Sequence, residues 1–227
     1  MKKQWHVCFE GPDGAYKTTT AAIVANLFRD AGKSVLETKE PGTIHLPVTM
    51  KLRELMLSNE YDVHHTVESR ELLSQAIRSI HINWLKTRSE DIVIQDRGIL
   101  SGIIYANSCG VNPDSIVSLG HIIGTPGDPL YHYDLTVIMY HGSGPSVNIA
   151  KAAKQEWGSG DAMEDKPAEF AQSIWNQYKA IIDDNRRTVI AIDVSEYSRE
   201  ALPIVIFDRI MEYMDDSSIL QHKWSVS

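Results

Sequence analysis

The sequence predicts an α/β fold in which a mostly parallel, five-stranded sheet carries helices on both faces. Short apolar and β-branched runs alternate with longer segments whose apolar residues recur at helical spacing, and this alternation is typical of parallel sheets. The strand-length runs lie at residues 5–9, 34–38, 91–95, 135–140 and 188–193. With 227 residues, 43% of them hydrophobic, the chain can bury one core without disulfide or metal staples. We therefore expect a single domain over residues 1–227.

The segments between these runs predict the helices. The first run ends in turn residues, and residues 18–31 then place apolar side chains at helical spacing. A similar spacing predicts further helices at about residues 47–58, 67–87 and 199–214, one opened by Gly98, and one through Phe170 and Tyr178. In the helix near residues 67–87, one apolar stripe is predicted from Leu72, Leu73, Ala76, Ile77, Ile80 and Trp84.

Residues 141–166 differ from the rest of the chain. They connect the last two predicted strands and are rich in glycine, serine and lysine. A polar connection of this length within an α/β domain is usually functional or disordered. We interpret it as a mobile lid, with a disordered connection as the alternative.

The charge balance limits the classes of partner. Lysine and arginine number 22 against 30 acidic residues, a net charge of −8, which argues against a protein that coats nucleic acid. The first residues lack the apolar core of a signal peptide, and no run reaches 18 apolar residues, so no membrane segment is expected. Cys8 and Cys109 have no metal-ligand spacing and are expected to be structural thiols. A cytosolic location follows.

Residues 11–18, Gly-Pro-Asp-Gly-Ala-Tyr-Lys-Thr, are the strongest local motif. They join the first strand to the first helix, where backbone N–H groups can surround phosphate oxygens. Lys17 would reach the terminal phosphates, and the Thr18 hydroxyl would bind Mg²⁺. The predicted nucleotide contacts are Gly11, Gly14, Ala15, Tyr16, Lys17, Thr18 and Thr19. An ordinary strand-to-helix turn is the alternative.

Tyr16 departs from this phosphate-loop motif. A glycine is expected immediately before the lysine because the backbone there lies against the nucleotide. The Tyr16 side chain should therefore either obstruct the loop or belong to a loop that has adapted to it. In an adapted loop the ring would pack against the adenine or the lid, and its hydroxyl could donate to a phosphate.

A second group of candidates follows the third strand. Asp96 lies at the carboxyl edge of the sheet, where ligands of open α/β sheets bind, and could position Mg²⁺. Arg97 could hold a phosphate with its planar guanidinium, although a strand-end ion pair is the alternative.

A third group of candidates lies on the predicted helix near residues 67–87. Ser74, Arg78 and His81 share the helix face opposite the apolar stripe, which could equally be a solvated surface.

Together these motifs resemble the thymidylate kinase family of nucleoside monophosphate kinases. Residues 9–14 followed by Lys17, Thr18 and Thr19 are similar to the opening of that family, and further blocks follow in the family's order over essentially the whole chain. These blocks are Thr38 to Gly42, with Lys39 in place of an arginine; Leu72 and Leu73 with Arg78; Asp96 and Arg97 with Ser101 and Tyr105; and the lid with Glu169 and Phe170. The resemblance implies a three-layer P-loop kinase fold and a homodimer.

The resemblance also implies transfer of the γ-phosphoryl of ATP, with Mg²⁺, to a pyrimidine deoxynucleoside monophosphate, dTMP by default. Lys17 and the loop amides would hold the donor phosphates, and Thr18 and Asp96 would organise Mg²⁺. The residues that would bind the acceptor are Asp13, Lys39, Pro41, Ser74, Arg78, Arg97, Ser101 and Tyr105. Among these, Arg97 and Lys39 would orient its phosphate, Asp13 would lie near the phosphate and a sugar hydroxyl, and Tyr105 would crowd the 2′ position. Lys17, Arg97, Asp96 and Asp13 are the predicted catalytic residues.

Two departures from the family leave alternatives open. Ser74 occupies the place of an aromatic residue that stacks on thymine, which suggests a modified pyrimidine nucleotide as acceptor. The family also carries a catalytic arginine in the phosphate loop or the lid. Gly14 stands in the loop and no arginine occurs between Gly98 and Asn185, so only the lid lysines could replace it: Lys151, Lys154 and Lys166. Tyr16 together with the missing lid arginine suggests a catalytically weak nucleotide-binding protein as the other alternative.

Overall fold

Five parallel strands form one sheet in the order β2-β3-β1-β4-β5. The computed structural model describes residues 3–58, 66–124, 130, 132–142, 144 and 168–224. The strands are β1 (Trp5–Glu10), β2 (Val35–Lys39), β3 (Ile92–Asp96), β4 (Leu135–Tyr140) and β5 (Val189–Asp193). All five were predicted from the sequence to within a residue or so at each end.

Seven α-helices surround this sheet in the described part of the chain. They are α1 (Lys17–Asp30), α2 (Pro47–Leu57), α3 (Val67–Leu85), α4 (Ile99–Ser108), α5 (Pro113–Ile123), α6 (Ala168–Asp183) and α7 (Ala201–Trp224). Helix α5 was not predicted, although Asn112 caps its first turn, Pro113 opens it and Gly124 ends it in a left-handed conformation. Helix α7 extends ten residues beyond its predicted end at Met214.

Apolar cores on both faces of the sheet produce three layers. On one face, α1 and α7 pack on β1 and β4 through fully buried side chains such as Phe9, Phe28 and Ile206. On the other face, α4 and α6 pack through Ile104 and Tyr178 against Ile138. Burying an apolar side chain of this size contributes roughly 1.5–3 kcal/mol. The fold is therefore the predicted α/β sheet with helices on both faces.

Helix α3 corrects the predicted amphipathic pattern. Of the six residues in the predicted stripe, only Ile77 is buried, and Leu72 is 56% exposed. The opposite face is the buried one, although it was expected to be a solvated surface if it bound no ligand. It carries Arg78 and His81, both almost completely buried, because Glu40 accepts hydrogen bonds from that face. Buried polar partners outside the helix therefore reversed the pattern that hydrophobic periodicity predicts.

The register of the sheet positions the candidate residues. Asp96 at the end of β3 is aligned with Phe9 of β1 and Lys39 of β2. Because the strands are parallel, the loop after β1 and the side chains at the ends of β2 and β3 meet at one edge. The predicted lid, residues 141–166, lies mostly outside the described residues. Within the part of the chain that is described, no helix combines the length and apolar character needed to cross a bilayer.

Candidate active site

The phosphate loop joins Glu10 of β1 to Lys17 of α1. Gly11 and Gly14 have φ values of 134° and 83°, in the region that favours glycine. A Cβ on Gly11 would lie 2.0 Å from the carbonyl oxygen of Met139 in β4. Gly11 is therefore required both by its own backbone conformation and by the close approach of β4.

Lys17 lies inside this loop and is only 6% exposed. Its Nζ donates to the carbonyl oxygen of Pro12 at 2.5 Å, a neutral partner from the loop itself. Burial, with a smaller contribution from the nearby charge of Arg97, lowers the pKa of Lys17 to about 7. A buried ammonium in this environment gains strongly from an approaching anion such as a phosphate.

Tyr16 adopts the backbone conformation that a glycine would take at this position. Its φ and ψ are 57° and 19°, in the left-handed region, and it stands at the N-cap of α1. The ring lies under the Arg199 guanidinium, 4.9 Å from its central carbon, and packs edge-on to His141. Arg199 Nη2 also donates to the Tyr16 hydroxyl at 3.3 Å. This outward packing favours an adapted loop over an obstructed one.

Thr18, Asp96 and Lys39 meet where α1 approaches the ends of β2 and β3. Thr18 Oγ1 donates to Asp96 Oδ2 at 2.6 Å, and Lys39 Nζ lies 2.9 Å from the same oxygen. Burial alone would raise the pKa of Asp96, but Lys39 and Thr18 hold it below its usual value. Asp96 Oδ1 is buried without a hydrogen-bond partner among the described residues. An ionised carboxylate with an unused oxygen beside a hydroxyl fits Mg²⁺, which binds oxygen ligands.

Arg97 joins the phosphate loop to α4. Its Nη2 forms an ion pair with Asp13, and its Nη1 donates to Ser101 Oγ at 3.1 Å and to the Gly11 carbonyl at 3.4 Å. The Tyr105 hydroxyl donates to Asp13 Oδ2 at 2.7 Å, and its ring lies 5.2 Å from the Arg97 guanidinium. Burial opposes the charge, but Tyr105 and Asp13 raise the pKa of Arg97. The structure therefore brings four of the predicted acceptor residues into direct contact: Asp13, Arg97, Ser101 and Tyr105.

Arg78 lies deeper, between α3 and α4. Its Nε donates to Glu40 Oε2 at 3.1 Å, while His81 Nδ1 lies 3.0 Å from Glu40 Oε1 and His81 Nε2 lies 2.7 Å from Thr38 Oγ1. Burial would raise the pKa of Glu40, but Arg78 and His81 outweigh it and hold the pKa at about 2. A Cβ on Gly102 would lie 2.1 Å from Arg78 Nη2, so Gly102 gives the guanidinium room against α4.

The remaining predicted residues lie around these groups. The Pro41 carbonyl, just after β2, accepts from Arg53 Nη1 at 3.0 Å, and Ser74 lies half-buried one turn before Arg78. Ala15 is buried in the loop, and Thr19 is exposed in the first turn of α1. The predicted lid residues Lys151, Lys154 and Lys166 lie outside the described residues.

Sequence reasoning missed the roles of two buried carboxylates. Glu10 is completely buried at the end of β1 and accepts hydrogen bonds from α4 and α6. Glu40 entered the sequence analysis only within the block Thr38 to Gly42, yet it neutralises Arg78. The available signal for Glu10 was its place at the end of an apolar strand just before the phosphate loop. Its partners on α4 and α6, however, are 88 or more residues away.

A phosphate loop and an arginine-bearing helix that meet at one edge of a parallel sheet are the arrangement of a P-loop kinase. The family profile described as thymidylate kinase matches residues 9–202, and the chain belongs to this family of nucleoside monophosphate kinases. Membership makes it a phosphotransferase and confirms the resemblance found in the sequence.

Relatives and a solved structure agree with this assignment. The thymidylate kinase of Caldicellulosiruptor saccharolyticus is 27% identical over 92% of this chain and 95% of its own length. That of Campylobacter concisus is 30% identical over 84% of this chain and 91% of its own. The crystal structure of the Ehrlichia chaffeensis thymidylate kinase matches with a TM-score of 0.65 and 20% identity, covering 92% of this chain and 98% of that one. The structural match supports the fold.

Proposed function

We propose that this protein transfers the γ-phosphoryl group of ATP to dTMP and releases dTDP and ADP. Membership of the thymidylate kinase family supports this reaction. The observation that carries it is the position of Asp13, a phosphate-loop residue that contacts both Arg97 and Tyr105 of the α4 region. This contact places the donor loop and the proposed acceptor residues side by side, as direct transfer between two bound nucleotides requires.

Lys17 and the loop amides bind the donor phosphates in this proposal. The Lys17 ammonium exchanges the Pro12 carbonyl for phosphate oxygens, which favours its protonated form. Thr18 and Asp96 would hold Mg²⁺, through the Thr18 hydroxyl and the partnerless Asp96 Oδ1. When bound, Mg²⁺ neutralises charge on the phosphates.

Arg97 and Lys39 orient the acceptor phosphate. Arg97 has five N–H donors, so it can keep Asp13 and Ser101 while it binds a phosphate oxygen. Lys39 extends from the end of β2 and is 41% exposed at its side chain, so it can reach a ligand at this edge. The acceptor phosphate oxygen is itself the nucleophile, and therefore neither a covalent intermediate nor a strong base is needed.

The acceptor nucleoside lies between α3 and α4 in this proposal. Arg78, Ser74 and Pro41 surround its base, and Glu40 keeps the Arg78 guanidinium charged and fixed in direction. Tyr105 is held by Asp13 with its ring beside Arg97, where it would crowd a 2′-hydroxyl and favour deoxyribose. The preference for a deoxynucleotide therefore comes from a side chain that the phosphate loop itself holds in place.

A homodimer in the cytosol completes the proposal. Helices α2 and α3 pack on each other and expose several large apolar side chains. These are Val48, Met50, Leu55 and Leu72. Burial of these side chains against another protein would stabilise an interface, and a second copy of this chain is the partner that the resemblance implies.

An acceptor panel tests the proposed reaction. Steady-state rates with ATP and Mg²⁺ are measured for dTMP, dUMP, dCMP, dAMP, dGMP and the matching ribonucleotides. The proposal expects dTMP to have the highest kcat/KM and each ribonucleotide to be poorer than its deoxy form. A higher kcat/KM for another acceptor would contradict dTMP as the substrate, and calorimetry that detects no ATP binding would contradict the kinase itself.

A further inference from the structure

Glu10 connects three elements of the proposed site. Its carboxylate is completely buried at the end of β1, directly before Gly11. Oε1 accepts from the backbone N–H groups of Gly98 at 2.9 Å and Ser101 at 3.1 Å. Oε2 accepts from the hydroxyls of Ser101 and, at 2.9 Å, Tyr178 of α6. One side chain thus joins the strand before the phosphate loop to α4 and α6.

The amides that Glu10 accepts from are those at the start of α4. Gly98 is the N-cap of this helix and has no side chain with which to cap it. The first N–H groups of a helix lack partners within the helix and carry partial positive charge, which a carboxylate satisfies well. Glu10 therefore fixes where α4 begins, and Arg97 precedes that point with a left-handed backbone, φ 61°.

The hydroxyl of Ser101 connects the Glu10 carboxylate to the guanidinium of Arg97. A carboxylate is an acceptor only, so the single proton of Ser101 Oγ turns toward Glu10. The oxygen is then left with lone pairs that accept from Arg97 Nη1 at 3.1 Å. Because arginine has donors and no acceptor, the Ser101 proton must point away from Arg97; Glu10 Oε2 accepts it there, beside the Tyr178 hydroxyl at 2.9 Å from Ser101 Oγ.

We propose that Glu10 is a positioning residue for phosphoryl transfer, which sets the orientation of Arg97 toward the acceptor through Ser101 and the start of α4. The inference rests on the proposed function and deepens it. Glu10 itself touches no substrate. Its charge organises the acceptor side, while Lys17 and the loop amides serve the donor side.

The variant E10Q separates this role from simple packing. Glutamine has the same shape, but one carboxylate oxygen becomes an NH₂ donor. That donor must face either the two α4 amides or the two hydroxyls, and the second choice removes the carboxylate acceptor that holds the Ser101 proton away from Arg97. We expect kcat/KM for dTMP to fall on the order of 10–100-fold, as when a catalytic group is misplaced by a fraction of an ångström to 1 Å. The KM for ATP should change less than threefold.

A double-mutant cycle with S101A tests the route. If Glu10 acts through Ser101, E10Q should add little to the loss already seen in S101A. The control is E37Q, which removes the charge of a β2 glutamate paired with Arg29 on α1, and should match the wild type. Melting temperatures are measured for all variants.

Three results would overturn the role of Glu10. They are wild-type kinetics in E10Q, equal increases in the KM values for ATP and dTMP with a large loss of melting temperature, and fully multiplicative effects of E10Q and S101A. If E10Q does not fold, the S101A variant tests the proposal by itself. An unchanged kcat/KM for dTMP in S101A would show that Ser101 does not orient Arg97. If the wild-type protein phosphorylates another nucleotide instead of dTMP, dTMP is excluded as the substrate, and the double-mutant cycle of E10Q and S101A is measured with that nucleotide. A wild-type protein that phosphorylates no nucleotide would remove both proposals.

Discussion

Arg97 holds the most constrained position in the site. Its backbone is left-handed, which costs a non-glycine residue roughly 1–2 kcal/mol, and its guanidinium contacts Asp13, Ser101 and Gly11. Strain of this kind persists only where the surroundings hold the residue firmly. The contacts of Arg97 run to the phosphate loop and α4 rather than along its own strand, which argues against a local ion pair at the strand end.

The variant R97A should lower kcat/KM for dTMP at least about 100-fold, because it removes a fixed, charge-assisted phosphate contact. Its melting temperature should fall by no more than about 5 °C, since Asp13, the acidic partner of Arg97, is half exposed and can be solvated in the variant. The matched control is R88A, which removes an arginine paired with Glu90 on the surface. An R97A enzyme as active as R88A would exclude Arg97 from the site.

Tyr16 should prove useful to this enzyme rather than obstructive. In Y16G the backbone is relaxed, but the side chain no longer packs against Arg199 and His141. We expect ATP to bind severalfold more weakly to Y16G than to the wild type. The variant Y16F keeps the ring against Arg199, so its affinity for ATP should stay near that of the wild type. Calorimetric titration with ATP measures both. Tighter ATP binding together with a higher kcat in Y16G would show that the ring obstructs the loop.

The lowered pKa of Lys17 predicts that ATP binding depends on pH. With a pKa of about 7, the side chain of the free enzyme loses its proton as the pH rises above 7, whereas bound phosphates favour the ammonium form. Binding at pH 8 should therefore take up close to one proton, and affinity should weaken about tenfold between pH 7 and 8.5. Calorimetry in two buffers of different ionisation enthalpy measures this uptake. The control is K17R, whose side chain stays charged. If ATP binding to K17R takes up as many protons as binding to the wild type, the proton uptake does not come from Lys17.

At the scale of elements, α3 shows where sequence periodicity fails. Its apolar residues predicted an inward stripe, but the buried face carries Arg78 and His81 because Glu40 supplies their hydrogen bonds. No local pattern reveals a partner that lies about 40 residues away in the chain. The exposed Leu72 then becomes part of the proposed dimer surface rather than of the core.

Two substitutions on α3 distinguish its faces. L72E places a charge on the exposed face and should convert a dimer to a folded monomer, whereas I77E buries a charge in the core and should unfold the domain. Light scattering after size-exclusion chromatography measures the mass, and circular dichroism measures folding. A wild-type monomer, or an L72E protein that is still dimeric at the same concentration, would contradict the proposed interface.

The other elements show what the sequence does reveal. The strands were predictable because fully buried parallel strands contain short, continuous apolar runs, as at residues 92–94 of β3. Helix α5 was missed even though Asn112 and Pro113 mark its start, since no hydrophobic stripe was recognised beside these signals. The length of α7 was underestimated because polar residues after Met214 continue the helix without a break.

At the scale of the whole molecule, the meeting of the candidate residues was predictable where they follow strand ends. Lys17, Thr18, Asp96 and Arg97 lie in local motifs, and a parallel sheet brings such motifs to one edge whatever their separation in sequence. The contacts of Glu10 with α4 and α6 could not be predicted, because they depend on how helices are set against the sheet. Sequence motifs thus predicted candidate residues that the structure brings to one edge of the sheet, and the structure added the buried contacts of Glu10.

The most direct test follows the γ-phosphoryl group itself. ATP labelled at its γ-phosphorus is incubated with Mg²⁺ and dTMP, and the products of the wild-type and R97A proteins are separated. We expect label to appear in dTDP with the wild type, only when dTMP is present, and at least about 100-fold more slowly with R97A. Label released as inorganic phosphate at the same rate with or without dTMP, or equal transfer by the two proteins, would contradict this expectation.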